Sequence, residues 1–222
     1  MSGSLHELLL NGATEIGVTL SDSHIEHLLL LMLQLRKWNR KFNLTAITKE
    51  REIIVKHFLD SLTVAPLISE GAQLLDIGSG GGFPAIPLAV VRPDLKVTSI
   101  DAAEKKIFFQ RHAVRVLGIK SFTALHARSE SLGEEHSGRY DVVISRAFSS
   151  LPDFASVARP LLAPEGVIIA MKGRSGEEES IAAAPFLAEC GLVVRRVVQL
   201  RLPVSGDVRS LVVMGAVRPE NA

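Results

Sequence analysis

The stretch Leu74-Leu75-Asp76-Ile77-Gly78-Ser79-Gly80-Gly81-Gly82-Phe83-Pro84 runs from a short apolar segment through a carboxylate into a glycine-rich loop. It closes on a proline suited to opening a helix. Glycines lack a Cβ, so such a loop can turn sharply and let backbone approach a ligand closely. In doubly wound α/β sheets nucleotides bind at the carboxyl ends of the strands, which is where a strand, glycine loop and helix would place Asp76, Gly78 and Gly80.

Outward from this loop, short β-type runs alternate with helical ones, the signature of βαβ units and a parallel sheet. Seven strands are expected, at 73–77, 96–100, 122–126, 140–144, 167–171, 192–200 and 210–216. Helices should follow Pro84, Ala103, Ser129, Leu151 and Gly176, the second with an apolar stripe of Ile107, Phe108, Ala113, Val114 and Leu117. The 203–207 segment is too short for a parallel crossover, so the last two strands should be antiparallel. Before the loop the periodicity is helical, with Leu5, Leu8 and Leu9 in phase and an N-cap cluster Ser21-Asp22-Ser23. The expected organisation is a helical extension over 1–67 and a single catalytic core over 68–222.

The chain has 222 residues, 47% of them hydrophobic, enough for one domain with a substantial core. No apolar run approaches the roughly 20 residues that span a bilayer, and the N-terminus lacks the order of a signal peptide. A cytoplasmic, monomeric protein is expected, without membrane attachment. The one cysteine, Cys190, stands at the end of an amphipathic segment and reads as a buried structural residue. Formal net charge is only +1, so any nucleic-acid surface must be local. One candidate is the span 36–56, where Arg36, Lys37, Arg40, Lys41, Lys49, Arg51 and Lys56 outnumber Glu50 and Glu52. Within it Trp38 and Phe42 could stack on unpaired bases, or simply dock their helix on the core. No group of His, Cys or carboxylates has metal-ligand spacing.

Asp101 ends the second expected strand about 20 residues past the loop, the usual place for a carboxylate that accepts from ribose hydroxyls. Nicotinamide and methyl-donor enzymes share that feature, but a dinucleotide loop would carry glycine where this chain has Phe83. Ser129 and Glu130 follow the third strand, and either hold the far end of the same ligand or cap a helix. Arg146 follows the fourth strand beside the expected cleft, where a charged residue among apolar neighbours needs a partner.

Asp76 to Pro84 as quoted, Ser145-Arg146-Ala147-Phe148-Ser149-Ser150-Leu151 and Met171-Lys172-Gly173 together resemble the RsmG (GidB) family of bacterial 16S ribosomal RNA methyltransferases. So do Trp38-Asn39-Arg40-Lys41-Phe42-Asn43-Leu44-Thr45-Ala46-Ile47 and His57-Phe58-Leu59-Asp60-Ser61, and the likeness covers about residues 20 to 215. The resemblance implies a Rossmann-like class I methyltransferase fold. It also implies transfer of a methyl group from S-adenosylmethionine to N7 of a guanine in 16S ribosomal RNA of the small subunit. On it, Gly78, Phe83, Ser129, Glu130 and Arg146 fall at cofactor positions. The chain departs from the family pattern at Gly81, where another small residue is usual, and at Ala85, where glycine is common.

The chemistry agrees. Guanine N7 carries an exposed lone pair, so methyl transfer requires alignment rather than a strong base. Arg146 and Lys172 are the candidates for contacts to guanine O6 or phosphate. The competing readings are a small-molecule methyltransferase, which would need an apolar lid where 36–56 is basic; a nicotinamide oxidoreductase, disfavoured by Phe83; and a catalytically silent RNA-binding module, disfavoured by the intact loop.

Overall fold

Alternation along an interior strand sets up two hydrophobic cores. In the computed structural model, which describes residues 4–146 and 148–217, Leu74 of β1 (Gln73–Ile77) faces one core and Leu75 and Ile77 the other. This is the two-residue period of a strand covered on both faces. The remaining strands are β2 (Lys96–Asp101), β3 (Phe122–His126), β4 (Tyr140–Ser145), β5 (Leu162–Lys172), β6 (Leu192–Arg201) and β7 (Val208–Ala216). They form one sheet in the order β3-β2-β1-β4-β5-β7-β6. Strands β3, β2, β1, β4 and β5 are mutually parallel, whereas β7 runs antiparallel to both β5 and β6.

The seven expected strands are all present, and the last two are antiparallel as the short link requires. On one face lie α1 (Leu5–Glu15), α2 (Asp22–Phe42), α5 (Ala85–Val91) and α6 (Glu104–Val116), and on the other α7 (Leu151–Ala158) and α8 (Gly176–Glu189). Ser21 caps α2, its hydroxyl accepting from His24 N–H at 3.2 Å while its own N–H meets the His24 ring. Asn43 ends α2 in the left-handed region, φ 47°. Behind it, α3 (Glu50–Ile53), a π-helical segment (Ile54–Leu59) and α4 (Asp60–Leu62) run on as one winding rod. Single π-turns of this kind recur at functional sites.

Three expectations are corrected. No α-helix follows Ser129; two 3-10 turns, Ser129–Ser131 and Glu134–His136, stand there. Between Ser129 and Arg139 Leu132 is the lone large apolar residue, so a helix would have no face to bury. Along α6 the inward phenylalanine is Phe109, fully buried, and Phe108 is 50% exposed. With Ile107, Gln110, Ala113 and Val114 setting the inner face, a period of 3.6 carries Phe108 to the outer side. Cys190 is the C-cap of α8 but only partly buried, because the turn into β6 leaves it at the rim of its core.

Candidate functional site

At the carboxyl end of β1 the loop folds back on β2. The Gly78 and Ser79 N–H groups donate to Ile100 O at 3.0 and 3.1 Å, and Gly82 and Phe83 N–H to Ser79 O. Gly80 and Gly82 have φ of +59° and +86°, a region L side chains rarely adopt. A Cβ on Gly82 would lie 2.4 Å from Ile86 Cδ1, whereas one on Gly80 would meet nothing within 4 Å. The loop is therefore packed underneath and open above.

Asp76 and Asp101 flank that opening. Asp76 is fully buried; one oxygen accepts from Ala85 N–H at 3.2 Å and the other, Oδ1, has no partner among the described residues. Burial pushes its carboxyl up to about 7. Asp101 accepts from Gly80 N–H and Ala103 N–H, both at 2.8 Å, with Lys106 Nζ at 3.5 Å, so its carboxylate also shapes the loop. Gln110 reinforces the loop from below. Fully buried, it donates to Ser79 Oγ (2.8 Å) and Gly80 O (2.9 Å) and accepts from Ser99 Oγ (2.8 Å).

Beside the loop, Arg146 reaches from the end of β4 to the helical rod. Its guanidinium donates to Lys56 O at 3.2 Å, Asp60 Oδ2 at 3.4 Å and His57 Nδ1 at 3.4 Å, and its Cζ lies 5.8 Å from the Phe83 ring centroid. A guanidinium can only donate, so His57 Nδ1 accepts and the ring proton sits on Nε2, which donates to Thr45 Oγ1 at 2.8 Å. Burial, and then the charge of Arg146, hold the His57 imidazole down at about 3, so it is neutral at physiological pH. Thr45 is itself fixed by a two-bond clasp to the Asn39 side chain at the end of α2.

Asp60, 3% exposed, takes a second guanidinium from Arg209 at 2.8 Å. These residues wall a cavity of about 340 Å³ with Lys56, Met171, Lys172 and Gly173. Its lining carries four cations against one carboxylate, a composition suited to a polyanion. Lys172 is held within that wall: Nζ donates to Phe148 O (3.0 Å), Ser149 O (3.1 Å) and Glu179 Oε1 (2.9 Å).

Asp76, Gly78, Gly80, Phe83, Asp101 and Arg146 thus converge on one corner of the sheet, and Lys172 lies behind it. Phe83 contributes differently from the glycines: it is 3% exposed, its ring packed on His57 and Phe58. Ser129 and Glu130 hydrogen-bond each other at 3.1 Å and line a separate groove of about 520 Å³ with Ser156, Val157 and Pro160. Three participants were not singled out from sequence. Gln110 was detectable as a polar residue on an apolar stripe, which demands buried partners. Thr45 and Arg209 carried no such signal, because their roles depend on contacts 12 and 149 residues away.

The fold and this corner define the class. The structure superposes on a SAM-dependent methyltransferase from Aquifex aeolicus with a TM-score of 0.58 and 20% identity, over 73% of this chain and 92% of that one. It superposes likewise on a mutant of the 16S rRNA (adenine(1408)-N(1))-methyltransferase from Catenulisporales acidiphilia, TM-score 0.56 and 17% identity, over the same shares. The architecture is that of the class I methyltransferases. Within that class the chain belongs to the rRNA small subunit methyltransferase G (GidB) family, whose model matches residues 24–205. It is 53% identical to the ribosomal RNA small subunit methyltransferase G of Geobacter sulfurreducens, over 97% of this chain and 99% of that one. The protein of the same name from Geobacter metallireducens is 50% identical over 97% and 98%.

Proposed function

We propose that this protein transfers a methyl group from S-adenosylmethionine to N7 of a guanine in 16S ribosomal RNA. The observation that carries the reading is one juxtaposition: a glycine loop with an orphaned buried carboxylate oxygen stands next to a basic cavity walled by Arg146 and Arg209. Family membership supplies the substrate class.

The residues fit the cofactor. Asp76 Oδ1 is a buried acceptor in want of a donor, and the space above Gly80 admits close approach. Asp76, Gly78 and Gly80 would hold the amino-acid end, Asp101 the ribose, and Ser129 and Glu130 the adenine end. In support, the β2–β3 register pairs Asp101 with His126, so the segment after β3 leaves from the same sheet edge. Phe83 backs this site and Arg146 borders it. When bound, S-adenosylmethionine supplies a methyl group activated by a sulfonium.

The chain's own task is positioning, since N7 needs no base. Arg146, anchored by Asp60 and His57, faces the cavity that would take the guanine and can donate to O6; Arg209 is placed for a neighbouring phosphate. Lys172 fixes the backbone after β4, at Phe148 and Ser149, and lends the cavity its charge. On this reading residues 1–67 form an RNA-facing extension of a catalytic core over 68–222, and the protein works as a monomer in the cytoplasm. No helix among the described residues is long and apolar enough to cross a membrane.

The test is incubation of purified protein with radiolabelled S-adenosylmethionine and small ribosomal subunits from a strain lacking the gene, followed by nucleoside analysis. Labelled 7-methylguanosine is the expected product; label in another nucleoside, or none despite cofactor binding, overturns the assignment.

A further inference from the structure

On the outer side of the α2–α6 pair lies a second groove, of about 470 Å³, walled by Trp38, Phe42 and Phe108. The aromatic faces are not spent on the core. Phe108 is 50% and Phe42 38% exposed. Trp38 stacks at a tilt between them and the interior, 5.2 Å from Phe42, 5.8 Å from buried Phe109 and 5.0 Å from His112.

The rim is cationic. Lys105, Arg111 and Arg115 line the groove, and none of the three enters an ion pair among the described residues. Glu104 is the one acid on α6, and α2 from Gln34 to Phe42 has none. Such a concentration in a chain of net charge +1 is local rather than compositional. The groove also has a direction: α6 starts three residues after Asp101, so Lys105 and Phe108 stand on its first two turns, at the edge where the glycine loop opens.

We infer that this groove seats an unpaired stretch of the substrate RNA, with a base against Phe108 and Phe42 and the flanking phosphates on Lys105, Arg111 and Arg115. Exposed rings interleaved with unpaired cations match single-stranded RNA, whose bases present free π-faces. A duplex hides those faces and would leave Phe108 idle. The inference rests on the RNA methyltransferase reading, and extends it to a contact surface that shares no residue with the Arg146 cavity.

Trp38 is the chain's one tryptophan, so its fluorescence reports on the groove directly. A short unstructured RNA strand, and the same sequence as a duplex, would be titrated into the full-length protein. Quenching of Trp38 by the single strand in preference to the duplex is expected. Phe108→Ala, at a half-exposed position that leaves the core intact, should weaken single-strand binding by about tenfold or more. Arg115→Ala should lower the salt slope by about 0.7. S-adenosylmethionine affinity should stay unchanged in both variants.

Wild-type RNA affinity in Phe108→Ala overturns the groove while leaving the methyltransferase reading standing. If Phe108→Ala binds free RNA normally yet methylates whole subunits poorly, the occupant is a subunit protein and the RNA assignment falls. Failure of the wild-type protein to bind any RNA, with cofactor binding retained, removes both.

Discussion

The imidazole of His57 lies flat against the ring of Phe83, centroids 4.5 Å apart and planes within 6°. This stack joins the π-helical segment to the glycine loop, and it is built around a neutral histidine. His57 sits at about 3 in the fold against an ordinary 6.5. A depressed histidine contributes stability that is complete above 6.5 and is lost as pH falls toward about 3, at up to about 1.4 kcal/mol per pH unit. Urea denaturation at pH 7 and pH 5 should therefore show the wild type losing about 2 kcal/mol more than His57→Gln, which has nothing to protonate. Equal losses would show that the imidazole is already free to charge.

Asp76 makes a pH prediction of its own. Its carboxyl, at about 7, is largely protonated below neutrality. The proposed ligand brings a cationic amino group, which pairs only with the ionised form. Affinity for S-adenosylmethionine should rise by roughly tenfold between about pH 5.5 and pH 7 as Asp76 ionises. In Asp76→Asn calorimetry should find weaker binding with that rise abolished. Stability runs the other way, since a raised carboxyl favours the fold at low pH and that contribution fades as pH climbs through 7.

Two glycines in one loop should fail differently. Gly82→Ala adds a Cβ 2.4 Å from Ile86 at positive φ, and should cost about 2–4 kcal/mol of stability. Gly80→Ala meets no neighbour, so its cost should be only the conformational strain of about 1–2 kcal/mol. The added methyl instead enters the space above the loop, and the main loss should be in cofactor affinity. Thermal melts with and without S-adenosylmethionine separate the two effects.

Lys172 and Glu179 form an ion pair at 2.9 Å with only 10% of the lysine side chain exposed. Glu179 also accepts from Leu151 N–H at 2.8 Å, so the pair pins both ends of the segment after β4. Lys172→Met should destabilise the protein by about 3 kcal/mol through the stranded carboxylate. If Lys172 acts by holding that segment, Glu179→Gln, which lies outside the cavity, should lower methyl transfer in parallel. Full activity in Glu179→Gln would assign Lys172 to the RNA itself.

Arg146→Ala should keep the fold and lower kcat/KM for RNA methylation by about two orders of magnitude, the loss expected when a positioned donor is removed. Arg146→Lys should not restore it, because an ammonium cannot serve Lys56 O, Asp60 and His57 from one planar fork. Activity measured on subunits, with circular dichroism for the fold, checks both variants.

What could be read from sequence follows from how local the determining interactions are. The strands are short, largely apolar runs broken by glycine and charge, so their places are set within a few residues. The antiparallel ending follows from a link too short for any other topology. Asp76 and Asp101 could be found because strand ends in such sheets converge. By contrast, the inward face of α6 is fixed by Gln110 and its partners Ser99 and Ser79, 11 and 31 residues away, so the α6 stripe alone does not place Phe109 inside and Phe108 outside. Arg209 reaches the site because β7 inserts beside β5, pairing Lys172 with Ser210. Nothing near Arg209 in the chain announces that neighbour.

The shared core beneath the sheet governs the order in which the protein can be made. Leu9, Ile25, Leu28 and Leu35 of the first two helices are fully buried in the same cluster as Leu74 of β1, Ile144 of β4 and Val213 of β7. The two helices pack mainly on the π-helical segment, α5 and α6, so most of the surface that shelters their leucines exists once α6 has emerged. β7 joins that cluster later, through its pairing with β5, and completes a core whose first half can already be in place.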